Sequence, residues 1–208
     1  MYQNKTVILA NGSFPKSKKL LNILDHSNSI ICCDGAVNNL IKSGREPSII
    51  IGDLDSISPK IKKQFSEKLI HITDQNTNDL TKAVDWCVSQ SKNDVLILGA
   101  TGKREDHTIA NIALLSKYNE QLEIRMLTEN GIFIPVSKTT KFDSFVGQQV
   151  SIFSQNSTTK ISSEGLKYPL DELELSFWWM GTLNECISKD FTLTFDDSNK
   201  IIVYLLNK

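Results

Sequence analysis

Four short runs of branched apolar residues punctuate the first half of the chain: Val7-Ile-Leu-Ala10, Ser29-Ile-Ile-Cys-Cys33, Ser48-Ile-Ile-Ile51 and Asp94-Val-Leu-Ile-Leu98. A strand that meets water on one face alternates polar and apolar residues, whereas an unbroken apolar run suits a strand covered on both faces. Between the runs the spacing changes to that of a helix. Leu80, Ala83, Val84 and Cys87 fall at i, i+3, i+4 and i+7, and Ile109, Ile112, Ala113 and Ser116 repeat the pattern. Strand and helix in alternation predict a parallel α/β sheet.

From about residue 128 the texture is different. Val150–Phe153, Leu173–Phe177, Phe191–Phe195 and Ile201–Tyr204 alternate or cluster with no helical segment between them. Asn130-Gly131, Gly147, Asn156-Ser157 and Asp196-Asp197 supply turns. The expected organisation is an α/β domain over residues 1–127 and an antiparallel β-sandwich over residues 128–208.

With 23 basic and 24 acidic residues the net charge is -1, which gives no footing for a nucleic acid or an anionic membrane. No apolar stretch reaches membrane-spanning length. The segment Met1–Thr6 lacks the basic and apolar parts of a signal peptide. Cys32, Cys33, Cys87 and Cys186 form no C-x-x-C pair and read as free thiols, mostly buried. A soluble, cytoplasmic protein is expected.

The polar residues gather just after the strands, where ligands of open parallel sheets bind. Asn11-Gly12 follows the first, Asp34-Gly35 the second, Gly52-Asp53-Leu54-Asp55 the third and Gly99–Asp106 the fourth. In extended backbone Asp53 and Asp55 would point to one side and Leu54 to the core. Two carboxylates so placed repel unless a cation lies between them. The pattern fits a divalent-metal site, and it also fits a polar strand end followed by an Asp/Ser turn. Asp79, in the first turn of a helix capped by Asn78 or Thr77, could add a third carboxylate of the kind Mg²⁺ takes. The loop 99–106 opens a helix, so its N–H groups with Lys103 and Arg104 suit a phosphate. It is not a Walker A loop, and on its own it reads rather as a solvated Lys-Arg-Glu-Asp turn with Asp106 as N-cap. His71 and His107 lack partners at metal-ligand spacing and read as polar or packing residues. Trp178 and Trp179 read mainly as packing residues, with one of them a candidate for an interface.

Taken together, "CDGAVNNL", "IGDLDSI", "DQNTNDLTKA" and "GATGKREDHTIANI", in this order, resemble the N-terminal motifs of thiamine pyrophosphokinases. "EGLKYPL" and "GTLNE" resemble that family's C-terminal motifs. The resemblance implies transfer of the β,γ-pyrophosphoryl group of ATP to the hydroxyl of thiamine, with Mg²⁺ and release of AMP. It also implies a catalytic ATP- and Mg-binding domain, a thiamine-binding sandwich and a homodimer with active sites between subunits. By position, Asp53, Asp55 and Asp79 match magnesium-cluster residues and, with Asp106, the catalytic set. Asp34, Gln75, Asn78, Thr101, Lys103 and Arg104 match nucleotide and phosphate contacts. Tyr168 matches an aromatic position that packs on thiamine, and Thr182 and Asn184 fall in its pyrimidine-binding motif. Leu183 stands where the family usually has serine. Two rival readings are a pyrophosphokinase for another hydroxyalkyl heterocycle, such as a hydroxymethylpterin, and a non-catalytic nucleotide sensor. "GLKYPL" argues against the first, and the complete acidic set against the second.

Overall fold

The structure, a computed structural model, describes Tyr2 and residues 4–208. Met1 and Gln3, part of the segment read for a signal peptide, lie outside the described residues. The chain forms two compact units, one running to Ile112 and including Gln121–Glu129, the other made of Ala113–Glu120 and Asn130–Lys208.

The first unit alternates strand and helix. Its strands are β1 (Thr6–Leu9), β2 (Ser29–Cys33), β3 (Ile49–Gly52), β4 (Leu69–His71), β5 (Asp94–Leu98) and β6 (Glu123–Leu127). Its helices are α1 (Lys18–Asp25), α2 (Ala36–Lys42), α3 (Pro59–Gln64), α4 (Asp79–Ser89) and the start of α5 (Glu105–Tyr118). The strands lie in the order β6-β5-β1-β2-β3-β4, and every pairing is parallel. Chain direction across the sheet reverses between β1 and β5. The crevice beyond their carboxyl ends is therefore the topological switch point where open α/β sheets bind ligands.

Burial explains the apolar runs. Val7, Ile8, Ile31, Cys32, Ile50, Ile51 and Val95–Leu98 are fully enclosed, and α4 lays Leu80, Ala83, Val84 and Cys87 across the sheet. All four cysteines are free and buried. The apolar stripe expected from Ile109 to Ser116 holds only toward its end. Ser116 is buried, while Ile109 is 53% exposed. The first turns of α5 stand beyond the strand ends, and there His107, Thr108 and Asn111 face a cavity rather than the core.

The strands of the second unit are β7 (Gly131–Val136), β8 (Thr140–Asp143), β9 (Gln149–Ser154), β10 (Lys160–Glu164), β11 (Leu173–Glu174), β12 (Asn184–Glu185), β13 (Asp190–Thr194) and β14 (Ile201–Leu206). They form two antiparallel sets, β12-β9-β14-β7 and β11-β10-β13-β8. Val150, Ile152, Ile201 and Val203 from one set share a core with Phe142, Ile161, Phe191 and Leu193 from the other. Phe142 and Phe191 stack at 4.7 Å between ring centroids. This is a sandwich, its two inner faces closed on each other.

One sequence expectation fails here and another holds only in part. Leu173–Phe177 is not a full strand, because the chain leaves β10 after Glu174. Only Leu175 then turns into the core, and residues 178–181 form a 3-10 turn. Of the two tryptophans expected to pack, only Trp178 does so within this chain. Trp179 is 72% exposed, and Trp178 touches Phe153 edge-on at 6.0 Å.

Candidate active site

Three loops at the carboxyl ends of β2, β3 and β4 bring carboxylates to one point. Asp34, Asp53 and Asp79 each offer an oxygen within 4.8 Å of the other two. Gly52 makes the approach possible: its φ of 151° suits glycine, and a Cβ there would come 3.0 Å from Asp34 Cβ and 3.1 Å from Asp79 Oδ1. Asp34 is buried, its Oδ2 accepts from the Ser56 N–H at 3.3 Å, and its Oδ1 has no hydrogen-bond partner. A buried carboxylate oxygen left unpaired is costly unless a cation or water answers it.

Asp53 and Asp55 are not related by strand alternation. Strand β3 ends at Gly52, and Leu54 adopts φ 65°. The left-handed turn is closed by the Asp55 N–H donating to Asp53 Oδ1 at 3.1 Å, a local side-chain-to-backbone bond typical of aspartate. Leu54 still enters the core. Asp55 lines the same cavity but is exposed and outside the three-carboxylate group. Asp34, matched by sequence to the nucleotide, occupies that third position instead.

Charge shapes the cluster. Asp79 is pushed up from the ordinary carboxylate value by burial, against the opposing pull of Lys82. Lys82 is 4% exposed and donates from Nζ to Asp79 Oδ1 at 3.1 Å. Asp53 is held down, first by the Asp55 N–H and then by a bond from the Gln75 side chain. Asn78 caps α4: its Oδ1 accepts from the Thr81 N–H and hydroxyl, both at 2.8 Å.

The cavity holding these groups measures about 490 Å³ and also takes in Gln75, Thr101, Lys103 and Arg104. Its size is that of a small-molecule site. Arg104 grips Asp106 through Nε at 3.1 Å and Nη2 at 2.5 Å. That grip holds Asp106 down at about 2, with help from the His107 N–H. α5 starts at Glu105, so Asp106 sits within its first turn rather than at the cap. Asn11, in the first of the strand-end loops, lines the cavity as expected, whereas sequence reasoning overlooked Lys82, His107, Thr108 and Asn111 as cavity residues. Lys82 alone carried a signal, a lysine one helical turn from Asp79 and set among apolar positions.

Tyr168, Thr182 and Asn184 belong to the second unit. Tyr168 is 59% exposed, with Lys167 Nζ 5.9 Å from its ring centre. Asn184 is buried, its carboxamide turned to the backbone of Tyr168. The Thr182 hydroxyl donates to the Trp179 carbonyl at 2.7 Å.

Residues 20–127 match the family model of the thiamin pyrophosphokinase catalytic domain, and residues 131–204 that of its substrate-binding domain. Thiamin pyrophosphokinase 1 of Caenorhabditis elegans is 28% identical over 77% of this chain and 72% of its own length. The thiamine pyrophosphokinase of Bacillus subtilis is 26% identical over 83% and 85%. Among solved structures, a Bacillus subtilis thiamine pyrophosphokinase superposes with a TM-score of 0.79 at 24% identity, covering 98% of this chain and all (100%) of that one. A Candida albicans thiamin pyrophosphokinase does so with 0.79 at 19% identity, covering 100% and 90%. At such identities the superpositions speak for the fold.

Proposed function

The chain belongs to the thiamine pyrophosphokinase family, and on that footing we propose how its own residues divide the work. It is an enzyme, a thiamine diphosphokinase, using ATP as co-substrate. The pterin and sensor readings are not favoured. The observation that carries the site assignment is the cavity at the switch point, where three carboxylates face a loop bearing Lys103 and Arg104.

ATP lies in that cavity with its phosphates toward residues 99–104. Thr101 and Lys103 meet the phosphates, and Gln75 with Asn78 bounds the opposite wall. Asp34, Asp53 and Asp79 would hold Mg²⁺: they are hard oxygen donors, and the unpaired Asp34 Oδ1 fits a cation. The metal when bound offsets phosphate charge and draws electrons from phosphorus. Asp55 stands at the rim, its N–H fixing Asp53. Arg104, held by Asp106 through Nε and Nη2, keeps Nη1 to donate to a phosphate oxygen.

Phosphoryl-type transfer asks the protein mainly for alignment and charge neutralisation. The thiamine hydroxyl attacks the β-phosphorus, the bond to the α-phosphate oxygen breaks, and AMP leaves. Asp79 lines the cavity and Asp106 is bonded to Arg104 of its lining, and either carboxylate is placed to accept the hydroxyl proton.

The sandwich, residues 128–208, serves thiamine, and residues 1–127 serve catalysis. Tyr168 offers a face to the cationic thiazolium or the flat pyrimidine. Phe177 and Trp179 are large apolar residues exposed on the sandwich, and we assign them to a homodimer contact. The working location is the cytoplasm. Among the described residues no helix is long and apolar enough to cross a membrane. Incubation with ATP, Mg²⁺ and thiamine should yield AMP and thiamine diphosphate; ADP in place of AMP would refute the reaction.

A further inference from the structure

Three basic side chains line the cavity, and two are already committed to carboxylates. Lys82 is bonded to Asp79, and Arg104 to Asp106. Lys103 differs. Its Nζ donates to the Asn11 backbone oxygen at 2.9 Å and to Asn11 Oδ1 at 3.1 Å, and it forms no ion pair among the described residues. An ammonium has three N–H donors. With two of them on neutral oxygens of one residue, its direction is set, its full charge persists and one donor stays available.

Asn11 is itself held firmly. It stands at the end of β1, and the chain after it is laced to the loop after β5. The Gly12 N–H donates to Gly99 O at 2.6 Å, the Ser13 N–H to Thr101 O at 2.8 Å, and the Ser13 hydroxyl to Gly102 O at 2.8 Å. Gly12 has no room for a side chain, since a Cβ would lie 2.3 Å from Gly99 O. On its other side the Asn11 amide fits against Gly35, where a Cβ would come within 2.8 Å of Nδ2. These contacts span the reversal between β1 and β5, so the two loops behave as one element.

We propose that Asn11 is a positioning residue for the ATP triphosphate: it presents Lys103 as an uncommitted cation, and its neutral side chain leaves that charge for the nucleotide. The inference rests on the reading that the triphosphate lies against residues 99–104. Residue type is decisive. An aspartate of the same shape would turn Lys103 into a third ion pair and aim a negative charge at the phosphates.

The test is calorimetric affinity for Mg²⁺ with an ATP analogue bridged by methylene between the α- and β-phosphorus, so that no turnover occurs. Lys103→Met should weaken binding by about tenfold, Asn11→Asp by a comparable factor and Asn11→Ala by about threefold. Asn11→Ala should add nothing in the Lys103→Met background, and it should leave the thiamine KM and the melting temperature unchanged. If Lys103→Met binds the analogue normally, the placement of the triphosphate is wrong. If Lys103→Met weakens binding but Asn11→Asp does not, the role of Asn11 alone is overturned. Independent, additive losses in the double variant would overturn it as well.

Discussion

Asn184 and Tyr168 hold each other by a reciprocal pair of hydrogen bonds: the Tyr168 N–H donates to Asn184 Oδ1 at 3.1 Å, and Asn184 Nδ2 donates to the Tyr168 carbonyl at 2.7 Å. Oδ1 accepts a second bond, from the Glu185 N–H at 2.9 Å. Both ends of the carboxamide are thus engaged by backbone. In the proposed thiamine site, Asn184 would act by positioning Tyr168.

Replacing Asn184 by alanine should therefore raise the thiamine KM as Tyr168→Ala does. Each lost bond is worth about 0.5–1.5 kcal/mol net. The double variant should be little worse than Tyr168→Ala, because the two residues act as a unit. Steady-state kinetics at saturating ATP and Mg²⁺ measures this. Fully additive effects would mean that Asn184 meets thiamine directly.

Asp53→Asn and Asp34→Asn should abolish turnover and leave the fold intact. In the absence of metal Asp34→Asn removes repulsion on Asp79, so its melting temperature in chelator should hold or rise, whereas Asp53→Asn also weakens the bonds that hold Asp53 down and gains less. Asp55→Asn, outside that group, should retain more activity. Binding of Mn²⁺, followed by its paramagnetic resonance, gives a readout independent of turnover. Unaltered Mn²⁺ affinity in Asp34→Asn would remove Asp34 from the metal set.

The metal-free protein should show a pH signature from Asp79. Burial raises its folded-state value above 3.8, so the folded state binds the proton more tightly than the unfolded chain. Its contribution to stability is present below 3.8 and is lost as pH rises through the folded-state value. The melting temperature of Asp79→Asn relative to wild type should therefore climb from pH 3.8 toward neutrality. Asp106 works in the opposite sense: its stabilisation is present above 3.8 and fades as pH falls toward about 2. Parallel melting curves for wild type and Asp79→Asn would contradict the assigned burial effect.

Leu183 sits at φ 60° and is 74% exposed, a left-handed conformation with little packing to support it. Leu183→Gly should stabilise the protein by about 1 kcal/mol through relief of that strain, partly offset by chain entropy. Leu183→Ser installs the residue that the family resemblance implies at this position and should lower the thiamine KM about three- to tenfold, the equivalent of one neutral hydrogen bond. A higher KM in Leu183→Ser would make the leucine part of a differently shaped pocket.

A homodimer should be seen by sedimentation, and Phe177→Ser with Trp179→Ser should shift it toward monomer. A wild-type monomer mass independent of concentration, in an active preparation, would count against the assembly.

Local physics was enough for the first unit's architecture. Runs such as Ile49–Ile51 and Val95–Leu98 can satisfy themselves only between two covered faces, and the i, i+3, i+4, i+7 stripe of α4 needs nothing beyond its own period. The concentration of Asp, Gly and Lys after these strands pointed to one crevice for the same reason: strand ends are where a buried sheet meets water. Tertiary structure decided what depends on residues distant in sequence. Asp34 joined Asp53 and Asp79 because parallel pairing sets the ends of β2 and β3 side by side, with Gly52 leaving room between them. The left-handed turn at Leu54 replaced strand alternation because the Asp53 side chain closes on the Asp55 N–H, a choice that a two-residue pattern does not encode. Asn11 and Lys103, 92 positions apart, meet only because β1 and β5 are neighbours at the point where the sheet reverses. Such pairings are set by the packing of whole strands, so no local stretch of the chain carries them.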